Sequence, residues 1–249
     1  MNLNNKVAII TWWTKWIWEA ISLDFAERWI KVCVIYYWDE NNANKFQEKI
    51  KKINSDYLVL KADVSKIEDT NYIYEKVVEK FWWVDILVNN AGTFLSKENE
   101  ANIEKRYKKL FEINFFSSVY MTEKFGELFK WDLWKIINIS SIAWVNPFSY
   151  TWWVRSPEYC CSKASMDLYT KLMARTYDWK ILVNGIAPWS TNTPLWDWVD
   201  ENFKKIRASE SMINRYMEPK EISKTAVFLL ENDAINWDII VVDGGNILN

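Results

Sequence analysis

The sequence predicts an α/β fold, a doubly wound parallel sheet of seven strands with helices on both faces. Two observations carry this prediction. Apolar runs without alternation, typical of strands buried on both faces, recur along the chain. Segments with helical periodicity separate these runs, and this alternation favours right-handed crossovers between parallel strands. Ligands of such sheets bind at the carboxyl ends of the strands.

The predicted strands are short and rich in β-branched residues. In the first of them, Val7, Ala8, Ile9 and Ile10 follow one another without a polar residue. The predicted strands cover residues 6–11, 31–37, 57–61, 84–88, 135–140, 180–186 and 239–242.

The predicted helices fill most of the chain between the strands. They cover residues 19–28, 41–53, 66–81, 102–129, 157–177, 200–209 and 219–231. Residues 188–194 are predicted to form a loop, and two irregular segments, residues 144–156 and 191–200, come after strands. We therefore expect these segments at the ligand-binding edge of the sheet.

Length and composition favour one globular domain over residues 1–249. Half of the residues are hydrophobic, and we find no linker, repeat or low-complexity tract. The formal net charge is −2 and no long basic run exists, so we expect no nucleic-acid partner. Apolar runs such as residues 7–13 are too short to span a bilayer, so we expect no membrane partner.

The N-terminus and the cysteines favour a cytoplasmic location. Residues 1–6 lack the charged start and long apolar stretch of a signal peptide. Of the three cysteines, Cys160 and Cys161 are adjacent, which gives no disulfide framework. The chain has no histidine and no cysteine cluster, so we expect no metal site.

The segment Tyr159-Cys160-Cys161-Ser162-Lys163 is the centre of the predicted chemistry. Residues four apart lie on one face of a helix, so an ammonium would stand beside a phenol. A neighbouring positive charge stabilises the phenolate and makes the phenol a proton donor nearer neutral pH. Taken alone, this spacing also fits a chance pair on a solvated helix.

Other motifs accompany this segment, and together they carry a family resemblance. They are Thr11 to Trp18 between strand and helix, Asp63-Val64, Asn89-Asn90-Ala91-Gly92, Asn114, Ser140-Ser141, Pro188-x-x-x-x-Thr193 and Asp243-Gly244-Gly245. In this order, the motifs resemble the single-domain, Rossmann-type short-chain dehydrogenase/reductase family over essentially the whole chain. The resemblance implies an NAD(P)-dependent oxidoreductase acting on a CH–OH group.

The resemblance also implies a catalytic set of four residues. Tyr159 would be the general acid for carbonyl reduction, and Lys163 would lower its pKa and bind the nicotinamide ribose. Ser141 would bind the substrate carbonyl oxygen, with Ser140 as the alternative. Asn114 would hold a water for proton relay, unless it is a purely structural residue in a distorted helix.

The cofactor-binding set implied by the resemblance lies along the predicted carboxyl edge. It comprises Thr11, Trp12, Thr14, Lys15, Trp16, Ile17, Trp18, Asp63, Val64, Asn90, Ala91, Gly92, Tyr159, Lys163, Pro188, Trp189, Thr191 and Thr193. Taken alone, Asp63 is equally well explained as a turn residue.

The choice of nicotinamide cofactor is a question of charge. An acidic residue at the end of the second strand would bind the ribose 2′-hydroxyl and repel a 2′-phosphate. Here that strand ends Tyr36-Tyr37-Trp38, and Asp39 follows. Relatives with a basic residue at the position of Lys15 tend to use NADP, so we expect NADP(H) rather than NAD(H), unless Lys15 is merely a solvated lysine.

Tryptophan stands at many positions where the family has glycine. The chain has 18 tryptophans and 5 glycines, whereas average usage of about 7% predicts roughly 17 glycines. The affected positions are Trp12, Trp16, Trp18, Trp29, Trp82, Trp83, Trp134, Trp144, Trp179, Trp189 and Trp237. A UGA codon translated as tryptophan, where the organism inserts glycine, would produce this pattern. Otherwise the chain is a divergent, cofactor-free relative.

Three functions follow from these alternatives. The first is an NADPH-dependent 3-oxoacyl-[acyl-carrier-protein] reductase of fatty acid synthesis, with a basic patch drawn from Arg155, Lys204, Lys205 and Arg207. The second is a sugar, polyol or other small-alcohol dehydrogenase. The third is a non-catalytic scaffold, if the tryptophans are real. By resemblance we expect a homotetramer or homodimer with a small-molecule carbonyl substrate.

Overall fold

Parallel strands form the centre of the protein, whose computed structural model describes residues 2–12, 16–95, 99–126, 128, 134–144, 156–193, 196–197 and 199–248. Seven strands lie in this part: β1 (Val7–Thr11), β2 (Lys31–Tyr36), β3 (Tyr57–Lys61), β4 (Ile86–Asn89), β5 (Trp134–Ile139), β6 (Ile181–Pro188) and β7 (Ile239–Val242). They pair in the order β3-β2-β1-β4-β5-β6-β7, all in parallel.

Eight α-helices lie in the same described part. They are α1 (Ile17–Ala26), α2 (Glu40–Ile50), α3 (Ile67–Phe81), α4 (Ile103–Phe111), α5 (Ser117–Gly126), α6 (Pro157–Thr176), α7 (Glu201–Ser209) and α8 (Pro219–Glu231). No described helix is long and apolar enough to cross a membrane.

Two apolar layers cover the two faces of the sheet. On one face, Ala8 and Ile10 of β1 pack in a cluster with residues of α1, α2 and α8. On the other face, Val7 and Ile9 pack in a cluster with residues of α3, α5 and α6. Alternate side chains of a strand point to opposite faces, so both faces need apolar residues. The predicted fold class is confirmed, with helices on both faces.

The order in which strands are added to the sheet changes side between β1 and β4. β1 pairs with β2 on one side and with β4 on the other, so the connections to the two neighbours run in opposite directions. Such a switch point opens a crevice at the carboxyl ends of the strands.

The prediction of one continuous helix over residues 102–129 is wrong. α4 ends at Phe111, a π-helical turn covers Glu112–Phe116, and α5 begins at Ser117. The periodicity of apolar residues does not reveal one extra residue in a turn. A π-helical turn inside a helix often marks a functional position.

Four tryptophans have backbone conformations that favour glycine. Among the described residues, seven other than glycine have positive φ, and three of these are asparagine or aspartate, which tolerate it. The other four are Trp16 (φ 92°), Trp29 (60°), Trp82 (71°) and Trp237 (76°). A bulky side chain adopts this region only with strain.

Candidate active site

The crevice between β1 and β4 is closed at its base by a hydrogen-bond cluster. The Thr11 hydroxyl accepts bonds from the backbone N–H groups of Asn90 (3.0 Å) and Ala91 (2.9 Å). The Asn90 side-chain amide donates to the Thr11 carbonyl at 3.0 Å. These three predicted cofactor-site residues are therefore brought together, and the side chains of Thr11 and Asn90 hold the two strand ends in place.

Tyr159 lies in the first turn of α6, next to the end of β5. The Ser156 hydroxyl caps this helix by accepting from the Tyr159 N–H at 3.4 Å, and Pro157 opens the first turn. The Ser141 side chain lies close enough to the Tyr159 phenol to act on its pKa. The Phe94 ring meets the Tyr159 ring edge-on, with centroids 5.5 Å apart. Two hydroxyls thus converge at the carboxyl end of β5.

Two influences act on the acidity of Tyr159 in the structure. Burial raises the pKa of the Tyr159 phenol, and the Ser141 side chain opposes that rise. The expected lowering of the Tyr159 pKa by Lys163 stays a prediction. Residues one helical turn apart share a face, but the long lysine side chain reaches elsewhere.

Lys163 extends towards β5. Its Nζ donates to the carbonyl of Ile139 at 2.8 Å, and the side chain is buried. Burial lowers the pKa of Lys163 from 10.5 to about 8, with the Asp167 charge opposing the shift. A Cβ on Gly92 would lie 3.2 Å from this Nζ, so the missing side chain leaves room in front of Lys163.

Asn114 lies in the π-helical turn and is fully buried. Its Oδ1 accepts from the Thr93 N–H at 2.7 Å, and its Nδ2 donates to the Thr93 carbonyl and the Ser162 hydroxyl, each at 3.0 Å. The side chain thus joins the segment after β4 to α6, as the structural alternative expects. The water relay stays a prediction.

The N-terminus of α1 is filled by indole rings. Trp12 and Trp18 stack with ring centroids 4.1 Å apart, and both are buried beside Tyr36 and Phe46. Trp16 is the N-cap, at φ 92°, and Ile17 opens the helix. Thr14 and Lys15 lie outside the described residues.

A dinucleotide cofactor therefore meets two different environments. At helix N-termini, a diphosphate approaches backbone N–H groups closely, and glycines allow that approach. The indoles of Trp12 and Trp18 do not fit such a group. By contrast, the hydroxyls of Ser141 and Tyr159, the buried Lys163 and the open space at Gly92 fit the nicotinamide ribose end.

Asp63 and Val64 take structural positions after β3. The Asp63 carboxylate accepts from the N–H (3.0 Å) and the hydroxyl (2.6 Å) of Ser65, in the turn before α3. Asp63 is therefore a turn residue in the structure, as the alternative expects. Val64 is buried in the apolar cluster against α3.

The segment after β6 is held from two sides. Pro188 ends β6, and Thr191 bridges to Met217. The Arg207 guanidinium lies over the Trp189 ring at 5.1 Å and donates to the Ser190 hydroxyl at 3.1 Å. Thr193 accepts a backbone bond from Trp196 at 2.9 Å. This arrangement brings the segment to the same edge as Ser141.

The expected basic patch is corrected in part. Arg207 is buried and paired with Glu210, so it does not offer a free charge at the surface. Lys204 pairs with Glu201 at 2.7 Å, Lys205 is exposed, and Arg155 lies outside the described residues.

Two contacts of Tyr159 and its helix were missed from the sequence. Phe94 meets the Tyr159 ring, and Arg106 forms a buried ion pair with Glu158, the residue before Tyr159. Fifty-two positions separate Arg106 from Glu158, so no local spacing could indicate this pair. One signal of this pair was present in the sequence: Arg106 stands at a position of an amphipathic helix where the helical period predicts a buried, apolar residue.

Comparison with known proteins places this geometry in a family. A family model described as Enoyl-(Acyl carrier protein) reductase matches residues 17–246. The chain belongs to the short-chain dehydrogenase/reductase family. It is therefore similar throughout to NAD(P)-dependent oxidoreductases.

Three family members illustrate the similarity. The hydroxynaphthalene reductase-like protein Arp2 of Metarhizium brunneum is 26% identical, over 99% of this chain and 96% of that protein. The 2-dehydro-3-deoxy-D-gluconate 5-dehydrogenase of Dickeya dadantii is 30% identical, over 98% of this chain and 96% of that protein. The L-sorbose reductase of Gluconobacter frateurii, solved with NADPH and L-sorbose, is 25% identical with a TM-score of 0.87 and covers 100% of both chains.

Proposed function

We propose that this protein is an NADP(H)-dependent carbonyl reductase that converts a ketone into a secondary alcohol. The observation that carries the proposal is the approach of the Ser141 side chain to the Tyr159 phenol, where it opposes the rise in the phenol pKa, beside the buried Lys163. Two hydroxyls that converge at one point can bind one carbonyl oxygen. A proton donor and an oxyanion partner are what carbonyl reduction needs.

Each of these side chains has a distinct task in the proposed reaction. Nicotinamide, when bound, supplies the hydride. The Ser141 hydroxyl donates to the substrate oxygen and orients the carbonyl. Tyr159 donates to the same oxygen and transfers its proton as negative charge develops there. Lys163, with a pKa near 8, supplies a positive charge close to this site at neutral pH.

We propose further that the protein made by its organism has glycine at positions 12, 16 and 18. The support is physical: Trp16 has φ 92°, and the indoles of Trp12 and Trp18 fill the N-terminal turn of α1. Glycine at these positions would remove both obstacles to a diphosphate. The alternative, a cofactor-free scaffold, requires the same strained backbone without a benefit.

The preference for NADP(H) is supported by the end of β2. Tyr36 and Tyr37 stand where an acidic residue would repel a 2′-phosphate. The nearby Asp39 carboxylate is engaged as the N-cap of α2, where it accepts from the Asn42 N–H (3.1 Å) and side-chain amide (2.6 Å). These bonds hold the Asp39 carboxylate against the first turn of α2.

Two substrate classes are candidates. The gluconate-derived and sorbose substrates named for two relatives favour a small sugar or polyol ketone. The acyl-carrier-protein name of the matching family model favours a 3-oxoacyl thioester. An acidic carrier protein would need a basic patch on the surface. Of the residues expected to form it, Arg207 is buried and Lys205 is exposed, so the described part of the patch is weak. We rank the sugar or polyol ketone first for this reason.

Assembly and location complete the proposal. We propose a homotetramer or homodimer, because Phe116, Leu168 and Leu172 expose apolar surface on α6 and the adjoining π-helical turn. Cys33, Cys160 and Cys161 are free thiols, which persist in the reducing cytoplasm.

The test compares the written chain with the variant Trp12→Gly/Trp16→Gly/Trp18→Gly. We expect saturable NADPH binding by the variant, and little or none by the chain with tryptophan at all three positions. Binding is measured by the quenching of tryptophan fluorescence and by energy transfer from tryptophan to NADPH. The variant is then assayed with keto sugars and with 3-oxoacyl thioesters. Adding Tyr159→Phe should lower kcat by about 10²-fold or more, with NADPH affinity retained.

Tyr72→Phe, an exposed position on α3, is the matched control and should leave kcat unchanged. If the glycine variant binds no nicotinamide cofactor, the enzyme proposal is wrong and the scaffold alternative takes its place. If Tyr159→Phe keeps full activity, the assigned proton donor is wrong.

A further inference from the structure

The loop after β4, described over residues 90–95 and 99–102, is attached to α6 at both of its ends. Near its beginning, Asn114 binds the backbone of Thr93 and the hydroxyl of Ser162. Near its end, Arg106 binds the carbonyls of Glu100 (2.7 Å) and Ala101 (3.0 Å) and the carboxylate of Glu158 (2.5 Å). Arg106 of α4 and Asn114 of the following π-helical turn thus each bind both this loop and α6.

The two attachments lie on either side of the proposed proton donor. Glu158 and Ser162 are four residues apart, so they lie one turn apart on α6, and Tyr159 lies between them in the chain. The Tyr159 ring also touches Phe94, which belongs to the attached loop. The backbone of this turn is therefore fixed by Asn114 at one end and by Arg106 at the other.

The chemistry of the Arg106–Glu158 pair argues against a role in stability alone. Both side chains are 3% exposed. A buried ion pair loses its hydration, and an apolar pair of similar volume is often as stable or more so. What the pair offers is geometry, because a guanidinium presents several donors in a rigid plane and here binds one carboxylate and two carbonyls.

We propose that Arg106 and Glu158 are positioning residues that set the turn of Tyr159 relative to the loop after β4. The inference rests on the proposed role of Tyr159. Arg106 does not touch the reacting groups described above. It acts through Glu158, the residue next to Tyr159, and through the loop that carries Phe94. Loss of the pair should therefore misplace the phenol and leave Thr11 and Lys163 of the proposed cofactor site in place.

The structure offers a matched control. Lys135 is also a buried cation, 2% exposed, that binds one carboxylate and two carbonyls: Asp233 (2.7 Å), Leu229 (2.9 Å) and Asn232 (2.8 Å). It lies near the amino end of β5, away from Tyr159. Arg106→Met and Lys135→Met thus each remove a buried cation, one next to the site and one remote from it. The carboxylate partners differ in exposure, since Asp233 is 43% exposed and Glu158 is 3% exposed.

The test uses the full chain carrying Trp12→Gly, Trp16→Gly and Trp18→Gly. Amide hydrogen exchange of residues 156–163 should become at least tenfold faster in Arg106→Met and stay unchanged in Lys135→Met. In the same variant kcat should fall about tenfold or more, because a small misplacement of a reacting group is costly. KM for NADPH should stay within about twofold, and Arg106→Lys should restore part of kcat.

Glu158→Gln keeps the volume of the side chain and carries the test if Arg106→Met fails to fold. Equal exchange in the Arg106 and Lys135 variants would overturn the proposal, as would faster exchange with unchanged kcat. Hydrogen exchange needs no turnover, so it decides whether the pair fixes the turn even if the chain reduces no carbonyl. A chain that lacks activity in every variant would contradict the proposed function instead.

Discussion

The buried ammonium of Lys163 makes a measurable contribution to the pH dependence of stability. Its pKa falls from 10.5 to about 8 in the folded protein. Between these pH values the unfolded chain therefore binds more protons than the folded one, and stability rises with pH through this window. The shift corresponds to a loss of folding stability on the order of 3 kcal/mol below pH 8, and this loss is relieved as the pH rises to 10.5.

Lys163→Met isolates this contribution from other groups that titrate at high pH. Burial raises the pKa of Cys33, for example, and that group acts in the opposite direction. We expect the free energy of unfolding of the parent chain to rise relative to the variant between pH 8 and 10.5. Denaturant titrations at several pH values measure this difference, and a constant difference would contradict the assignment.

Local spacing predicted some functional residues and missed others. Tyr159 and Lys163 are one helical turn apart, so their place on one helix follows from the sequence. The direction of the Lys163 side chain does not, because Nζ binds Ile139 of another element. The Arg106–Glu158 pair depends on how α4 packs against α6, which no short segment encodes.

At the scale of elements, the ends of α1 and α3 show the demand for glycine most clearly. Trp29 follows α1, where the Ile30 N–H bonds back to the Phe25 carbonyl at 3.1 Å. Trp82 is the C-cap of α3, and its N–H bonds to Val78 at 3.0 Å. Helices commonly end in this way with a left-handed residue, usually glycine. Both indoles are exposed, at 64% and 77%.

Replacing either residue by glycine should therefore stabilise the protein. We expect Trp29→Gly and Trp82→Gly each to raise the free energy of unfolding by about 1 kcal/mol, because left-handed strain is released. Trp38→Gly is the control, since Trp38 is exposed at 57% but does not have positive φ. It should lower stability by up to about 1 kcal/mol. Thermal and urea unfolding distinguish these outcomes, and a loss of stability in all three variants would argue against glycine at the helix ends.

The type of each element could be predicted, because hydrophobic periodicity is a local property of the sequence. Whether a helix continues without a break could not be predicted in this way. Apolar runs identified the strands, and β3 and β7 have the predicted ends. The π-helical turn at Glu112–Phe116 was missed, since Asn114 is held there by Thr93 and Ser162 from other parts of the chain. Such tertiary hydrogen bonds override helical periodicity.

At the scale of the whole molecule, alternation of strands and helices was enough to predict the sheet. Parallel strands need crossover helices, and right-handed crossovers restrict the possible strand orders. The crevice between β1 and β4 follows from that order. What the order does not give is the content of the crevice, and here indole rings lie where the family binds a diphosphate.

The identity of residues 12, 16 and 18 in the organism's own protein decides between the proposed enzyme and a scaffold. Trypsin cuts after Lys6, Lys15 and Arg28, so the peptides 7–15 and 16–28 contain all three positions. We would measure the masses of these peptides in protein isolated from its host. Glycine masses at the three positions are the predicted result and would give an open diphosphate site. Tryptophan masses would contradict the central claim, because the site would then be filled and no dinucleotide could bind as proposed.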